Sequence, residues 1–531
     1  MNPVLSKIIE LINSDNFYKA ELEIRKIYPN NPQSFDLNKM LGLCLLAQRK
    51  YNSALKCFER CFSIKKDDYD VVLNLSFIFT KIQFYEEAIN YSKEAIKLDP
   101  QRPQAYQNIS TSYFFLGKFK EAKKYAEESI QIRGGIDALN FLDTEDLVVL
   151  YADILIAQGQ KNDFVSYAKK ILKKKYLQKI LTRLHRENPA NIENEHIELT
   201  ESVIQSSFNI QKKVERNTRL SDAYFFLAEY QSKKNKNLSE EYYIKANKLI
   251  NDMQRESLFL RQKYARTICN FFRSFEIQKI TNEIDSEKGK GLIFVLGMPR
   301  SGTTLTESIL STSKDLITGG EKSFFSLQLF ETITSENQNE LNLDSSFFND
   351  LGDRYLKSIE LHRDGKSLFV DKLPENYLFY KYIKLSLPGA KFIHCFRDPW
   401  DNAISLFKQN YSINIFYASS FFGIATEYAN YEFLVRYWKQ MDGDDALFDV
   451  EYEKLVKDNS LIDKLWKYCD LKGEYSEEKR KEHFGFTASM QQVTKDIYSS
   501  SLKKDDFIDF KEDFFSNLQA QREYWQEKFS N

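Results

Sequence analysis

The chain has 531 residues, too many for one domain and enough for two to four. Its 75 Lys and Arg balance 76 Asp and Glu, so overall charge directs it neither to nucleic acid nor to an anionic membrane. Gly and Pro are sparse and aromatics reach 15%, a composition that favours helix and supplies material for large cores.

The first residues, Met-Asn-Pro-Val-Leu-Ser-Lys, lack the apolar core of a signal peptide. No apolar run approaches the ~18 residues of a membrane span. The six cysteines (Cys44, Cys57, Cys61, Cys269, Cys395 and Cys469) form no Cys-x2-Cys pair and have no histidine at zinc spacing. They read as reduced core thiols, and the expected location is cytoplasmic.

A self-similar pattern with a period of 34 residues runs through the first 135 positions. Phe17, Tyr51, Tyr85 and Phe119 are equally spaced, and Ala20, Ala54, Ala88 and Ala122 follow each by three residues. Leu41, Leu75 and Ile109 keep the interval, as do Gly42, Ser76 and Ser110. Small residues let two helices approach while aromatics fill the turn between them, and Asn31-Pro32 and Asp99-Pro100 close the second helices. Period and residue types resemble the tetratricopeptide repeat. That resemblance implies an all-α array over residues 1–140, whose groove takes a polypeptide partner. The array would otherwise support the second domain or dimerise it, which admits a homodimer.

Residues 141–285 keep a helical pattern without the regular period and read as a linking segment. Ala223–Tyr230 and Glu240–Leu249 look like one further repeat-type hairpin. Lys169, Lys170 and Lys173–Lys175 are interleaved with Ile171, Leu172, Tyr176 and Leu177 at helical spacing, so they read as a solvated amphipathic face, not a nucleic-acid site.

From residue 286 the texture changes to short apolar strands between helices: Leu292–Leu296, Ser367–Val370 and Lys391–Phe396. Such alternation predicts a parallel sheet flanked by helices, with ligands at the carboxyl ends of its strands. The first strand runs into Gly297-Met-Pro-Arg-Ser-Gly-Thr-Thr304 and then a helix, a strand–loop–helix suited to an anion. A Walker loop would need Lys after Gly302, where Thr303 stands, so a nucleoside triphosphate is not the default ligand. Three further motifs lie at predicted strand ends. These are Asp371-Lys372-Leu-Pro, Arg397-Asp-Pro with Ser405 eight residues on, and Tyr452-Glu-Lys-Leu.

Pro-Arg-Ser-Gly-Thr-Thr with these partners resembles the sulfotransferases that use 3′-phosphoadenosine 5′-phosphosulfate (PAPS), in particular bacterial tetratricopeptide-repeat sulfotransferases. Within that superfamily the catalytic domain is most similar to tyrosylprotein sulfotransferases. The resemblance implies that Arg300, Ser301, Gly302, Thr303 and Thr304 hold the 5′-phosphosulfate, and that Arg397 and Ser405 hold the 3′-phosphate. It implies that Lys372 faces the bridging and sulfuryl oxygens and that Tyr452 faces the nucleotide. Glu321, 21 residues after Arg300, falls at the spacing of the catalytic base. Thr487-Ala-Ser-Met-Gln-Gln-Val493 resembles the segment that returns over the cofactor, which gives Ser489 a transition-state role and makes Gln492, Lys495 and Lys504 cofactor-binding.

Departures from the pattern are Gln409 in place of a basic residue, with Lys408 beside it, Asp496 for a proline and Asp505 for an aromatic. Gly319 stands where secretory relatives have a cysteine. The implied reaction is in-line transfer of a sulfuryl group to an acceptor hydroxyl without a metal ion, the acceptor being a peptide tyrosine or alternatively a glycan or small molecule. Arg300, Glu321, Lys372 and Ser489 would be catalytic, and His394 is the rival base. A small-alcohol kinase and an inactive repeat scaffold are the competing readings.

Overall fold

The computed structural model describes residues 3–139, 141–175, 177–254, 257–274, 283–334, 343–411, 415–458, 460–482 and 505–529. The chain forms two compact units. The first comprises Met1–Gln160 with Ser323–Gln338 and Tyr355–His362, and the second comprises the remainder.

Unit 1 is built from antiparallel helix pairs: Pro3–Asn13 with Phe17–Ile27, Phe35–Ala47 with Tyr51–Ile64, Tyr69–Lys81 with Tyr85–Leu98, and Gln104–Phe115 with Phe119–Ile132. The 34-residue period has a backbone signature as well as a side-chain one. Asp15, Arg49, Gln83 and Gly117 all take left-handed φ values, 57°, 60°, 68° and 71°. After each, the next N–H reaches back to a carbonyl of the preceding helix, Asn16 to Leu11, Lys50 to Leu45, Phe84 to Phe79 and Lys118 to Tyr113. These bonds close the first helix of each pair and reverse the chain. Only one of the four positions is glycine, so the turn is set by the hydrogen bonds and packing around it.

The four alanines Ala20, Ala54, Ala88 and Ala122 are fully buried where the helices cross. A Cβ on Gly42 would lie 2.6 Å from Phe58 Cε2, which explains the absence of a side chain there. At the equivalent positions Ser76 hydrogen-bonds Ser92, and Ser110 donates to the Ala122 carbonyl at 2.8 Å. The Phe324–Thr334 helix also packs within this unit, with Phe324 against Phe84 (5.9 Å between ring centres) and the Leu327 carbonyl accepting from Asn52 at 2.9 Å.

Unit 2 opens with further helices, of which Lys213–Gln231 and Lys236–Gln254 form a long antiparallel pair holding the hairpin expected at 223–249. Lys170, Lys173 and Lys174 are exposed, Lys169 pairs with Glu193, and Ile171 and Leu172 are buried on the opposite face. The unit's centre is a five-stranded, all-parallel sheet: β1 Leu292–Gly297, β2 Leu316–Thr318, β3 Leu368–Asp371, β4 Lys391–Phe396 and β5 Phe448–Glu451.

The spatial order is β2-β3-β1-β4-β5, so the direction of winding reverses beside β1. That reversal opens a crevice at the carboxyl ends of the strands. Ile293, Val295, Val370, Ile393, Cys395 and Val450 pack one face of the sheet against Ile309, Leu310, Leu465 and Trp466. On the other face Phe294 stacks on Phe392, which Tyr380 meets edge-on. All six cysteines are free and buried. Among the described residues no helix is long and apolar enough to cross a membrane.

Candidate active site

Each of the five strands delivers candidate residues at its carboxyl end. The loop Met298–Gly302 follows β1, Glu321 lies three residues beyond β2, and Lys372, Arg397 and Tyr452 directly follow β3, β4 and β5. A parallel sheet places such positions side by side whatever their separation in sequence.

The loop after β1 is held in an unusual backbone path. Arg300 has φ 69° and Gly302 φ 98°, both left-handed. A Cβ on Gly302 would come within 2.6 Å of Tyr452 Cδ2, so only glycine fits beneath that ring. Asn402 donates to the Pro299 carbonyl at 3.0 Å and ties the loop to the Pro399–Phe407 helix. The hydroxyl of Ser301 is buried with no hydrogen-bond partner among the described residues. A buried donor left in that state is costly unless a ligand completes it. Thr303 and Thr304, both buried, begin the Thr303–Leu310 helix.

Two arginines converge beside this loop. Arg300 Nε donates to Ser405 Oγ at 3.0 Å, joining the β1 loop to the motif after β4. Arg397 is buried, its guanidinium 4.6 Å from the Tyr452 ring centre and within 4 Å of Asp401 and Glu453. Burial, with the charge of Arg397 adding to it, draws the Arg300 pKa below its ordinary value. Desolvated cations that repel one another are stabilised when an anion joins them. Asp398 caps the following helix, accepting from the Trp400 and Asp401 N–H groups at 2.9 and 3.0 Å.

Lys372 and Glu321 form the second centre. The pairing of β2 with β3 continues past the strands, with Gly319 N–H donating to the Val370 carbonyl at 2.7 Å and Lys372 N–H to the Gly320 carbonyl at 2.9 Å. This register sets Lys372 Nζ 2.7 Å from Glu321 Oε1. The lysine is wholly buried, whereas the Glu321 side chain is 41% exposed, so the carboxylate can meet an incoming molecule. Glu307, buried on the Thr303–Leu310 helix, lies 3.8 Å from the same ammonium. Burial pushes its carboxyl up to about 7, the charge of Lys372 opposing that rise and the charge of Glu321 adding to it. Neighbouring Lys322 is drawn down to about 8 by burial, against the attraction of Asp371.

Neither Glu307 nor Lys322 was a candidate from the sequence, and Asp371 entered there only as the neighbour of Lys372 in its motif. For Glu307 a signal existed, a lone carboxylate in the otherwise uncharged Thr303–Leu310 segment. His394 points to the other side of the sheet and is occupied at both nitrogens, Nδ1 by Asp449 at 2.8 Å and Nε2 by the Tyr431 hydroxyl. Burial lowers its pKa. Lys408 is engaged by Asp506 at 2.7 Å. Ser489, Gln492, Lys495 and Lys504 lie outside the described residues.

Comparison with known proteins gives this arrangement a class. Residues 293–475 match the model of the sulfotransferase family, and residues 39–68, 69–102 and 103–135 each match the tetratricopeptide repeat. The chain therefore joins an N-terminal, all-helical tetratricopeptide superhelix to a C-terminal sulfotransferase domain with a parallel sheet flanked by helices.

Among curated proteins, a protein of Aquifex aeolicus (strain VF5) described as uncharacterized is 29% identical over 334 residues, covering 59% of this chain and 42% of its own length. The BBSome complex member BBS4 of Bos taurus is 26% identical over 144 residues, covering 27% of this chain and 26% of its own. The chain thus spans less than half the length of either relative. The solved structure of the MamA protein is 18% identical over 32% of this chain and 89% of its own, with a TM-score of 0.28.

Proposed function

We propose that the protein transfers the sulfuryl group of PAPS to an acceptor hydroxyl, with Glu321 as general base. The observation that carries this reading is the delivery, by four neighbouring strand ends, of a two-arginine cradle and of a buried lysine paired with a solvent-open carboxylate. Ser301 Oγ, buried and unsatisfied, and the Thr303 and Thr304 hydroxyls at the helix start suit a 5′-phosphosulfate. Arg397 and Ser405 suit the 3′-phosphate, with Tyr452 beside the nucleotide. When bound, PAPS supplies an electrophilic sulfur and a diphosphate leaving group.

Glu321 accepts the proton of the acceptor O–H as that oxygen attacks sulfur. The bridging S–O bond breaks, its electron pair stays on the departing phosphate, and Lys372 and Arg300 face the charge that develops there. The ammonium reaches that task by exchanging its bond with Glu321 for one with the leaving oxygen, and the same exchange frees Glu321 to act as base.

The acceptor we infer is a tyrosine in a polypeptide, because a tetratricopeptide array is suited to presenting one. Ser489, Gln492, Lys495 and Lys504 belong to this reading as the segment closing over the cofactor. Incubation of the full chain with ³⁵S-labelled PAPS and a panel of tyrosine peptides, glycans and phenols tests it. Label moves to the tyrosine peptides if the whole reading holds. Transfer to a glycan or phenol alone overturns the acceptor, and binding of PAPS without any turnover overturns the activity.

A further inference from the structure

The mechanism above leaves a buried carboxylate unused. Glu307 sits on the helix that opens with the anion-binding loop, 1% exposed, its Oε2 without a hydrogen-bond partner among the described residues and 3.8 Å from Lys372 Nζ. Burying a carboxyl group here is unfavourable, and an apolar residue would complete the helix's packing more cheaply. The arrangement becomes intelligible from the changing partners of Lys372. In the resting arrangement the ammonium has two carboxylates among the described residues, Glu321 at 2.7 Å and Glu307 at 3.8 Å. During transfer Glu321 must turn to the acceptor proton and loses its hold on the lysine. Glu307 cannot reach the acceptor in this way, because it belongs to the buried face of the helix.

We propose that Glu307 is a positioning residue for the transfer step, holding the Lys372 ammonium in place when Glu321 releases it to act as base. This inference rests on the proposed sulfuryl transfer. The bonds made and broken are unchanged: acceptor oxygen to sulfur forms, sulfur to bridging oxygen breaks, and the acceptor proton ends on Glu321. Glu307 takes no proton from the substrate. Its part is geometric and electrostatic: of the two described carboxylates beside Lys372, it is the one that stays fixed as the other turns to the acceptor. A purely structural Glu307 would influence folding and cofactor affinity. A positioning Glu307 acts on the transfer step alone.

The test compares the full chain with Glu307→Gln, which keeps shape and removes charge, and Glu307→Asp, which keeps charge and withdraws it by one methylene. Turnover with PAPS and an acceptor that the wild type sulfates is read as kcat and KM, beside the affinity for adenosine 3′,5′-diphosphate and Tm. Glu307→Gln is expected to lower kcat roughly tenfold while leaving KM for PAPS and diphosphate affinity near wild type and Tm no lower than wild type, and Glu307→Asp to recover part of the kcat loss. Unchanged kcat in Glu307→Gln overturns the proposal, as does a loss that tracks a fall in Tm or in diphosphate affinity. A wild type that binds PAPS but transfers nothing overturns the underlying reading, and this inference with it. A wild type that transfers as well as Glu307→Gln overturns this inference alone.

Discussion

Lys372 and Glu321 stand 2.7 Å apart, one directly after β3 and the other three residues beyond β2. Their meeting is a consequence of strand register, carried past the sheet by the Gly319–Val370 and Lys372–Gly320 backbone bonds. The pair joins a fully buried cation to a carboxylate that remains open to solvent. Such a pair is poised to separate when a ligand offers the lysine a better partner.

If Glu321 is the base, Glu321→Ala lowers turnover by at least about 100-fold while binding of adenosine 3′,5′-diphosphate is retained. Stopped-time assays with labelled PAPS, beside calorimetric titration of the diphosphate, make the comparison. Equal loss of both would assign Glu321 to cofactor binding.

His394→Asn gives the complementary result. The histidine lies between Asp449 and Tyr431, away from the strand-end residues, so the variant loses stability and keeps kcat within about threefold of wild type. A selective collapse of kcat with an unchanged Tm would make His394 the base.

Arg397→Ala removes a buried guanidinium from beside the Tyr452 ring and, on the proposed reading, from the 3′-phosphate. Affinity for adenosine 3′,5′-diphosphate is expected to fall by about 2–3 kcal/mol, roughly 30- to 150-fold, while affinity for adenosine 5′-phosphosulfate, which lacks the 3′-phosphate, changes far less. A matching loss for both ligands would remove the 3′-phosphate assignment.

The carboxyl of Glu307 also predicts a pH dependence of stability. Its ordinary value is 4.5 and burial raises it to about 7 in the folded chain, where Lys372 and Glu321 are the charges acting on it. Between these values the folded protein binds a proton that the unfolded chain has released. Stability from this group is therefore full below pH 4.5 and is lost as pH rises to 7, by at most about 3 kcal/mol. Urea midpoints at pH 5.5 and pH 8 are expected to show Glu307→Gln gaining on the wild type at the higher pH. A constant difference between the two proteins would refute the assignment.

The sequence made some of these features legible and hid others for physical reasons. The repeat was readable because each helix pair reuses the same small and aromatic positions, so Ala20, Ala54, Ala88 and Ala122 carry one geometric message four times. Strands β1, β3 and β4 announced themselves as apolar runs, whereas β2 is three residues long and only Leu316 of it is buried. Arg300, Lys372, Arg397 and Tyr452 could be named from motifs, but the Arg300–Ser405 bond depends on where two crossovers return. Glu307 stood out as the lone charge of its helix, but its role was hidden, because helical periodicity says which face is buried and nothing about which charge waits at the end of another strand. The left-handed turns at Asp15, Arg49 and Gln83 were equally silent, since none carries the glycine that usually marks such a turn.

The measurement that tests the central claim most directly is a calorimetric titration of the full chain with adenosine 3′,5′-diphosphate and, separately, with ATP. If the strand-end cradle is a PAPS site, the diphosphate binds at least about 100-fold more tightly than ATP, the 3′-phosphate contributing through Arg397 and Ser405. ATP binding as tightly as the diphosphate, or more tightly, would contradict the account and return the loop after β1 to the nucleoside triphosphate proteins it superficially resembles.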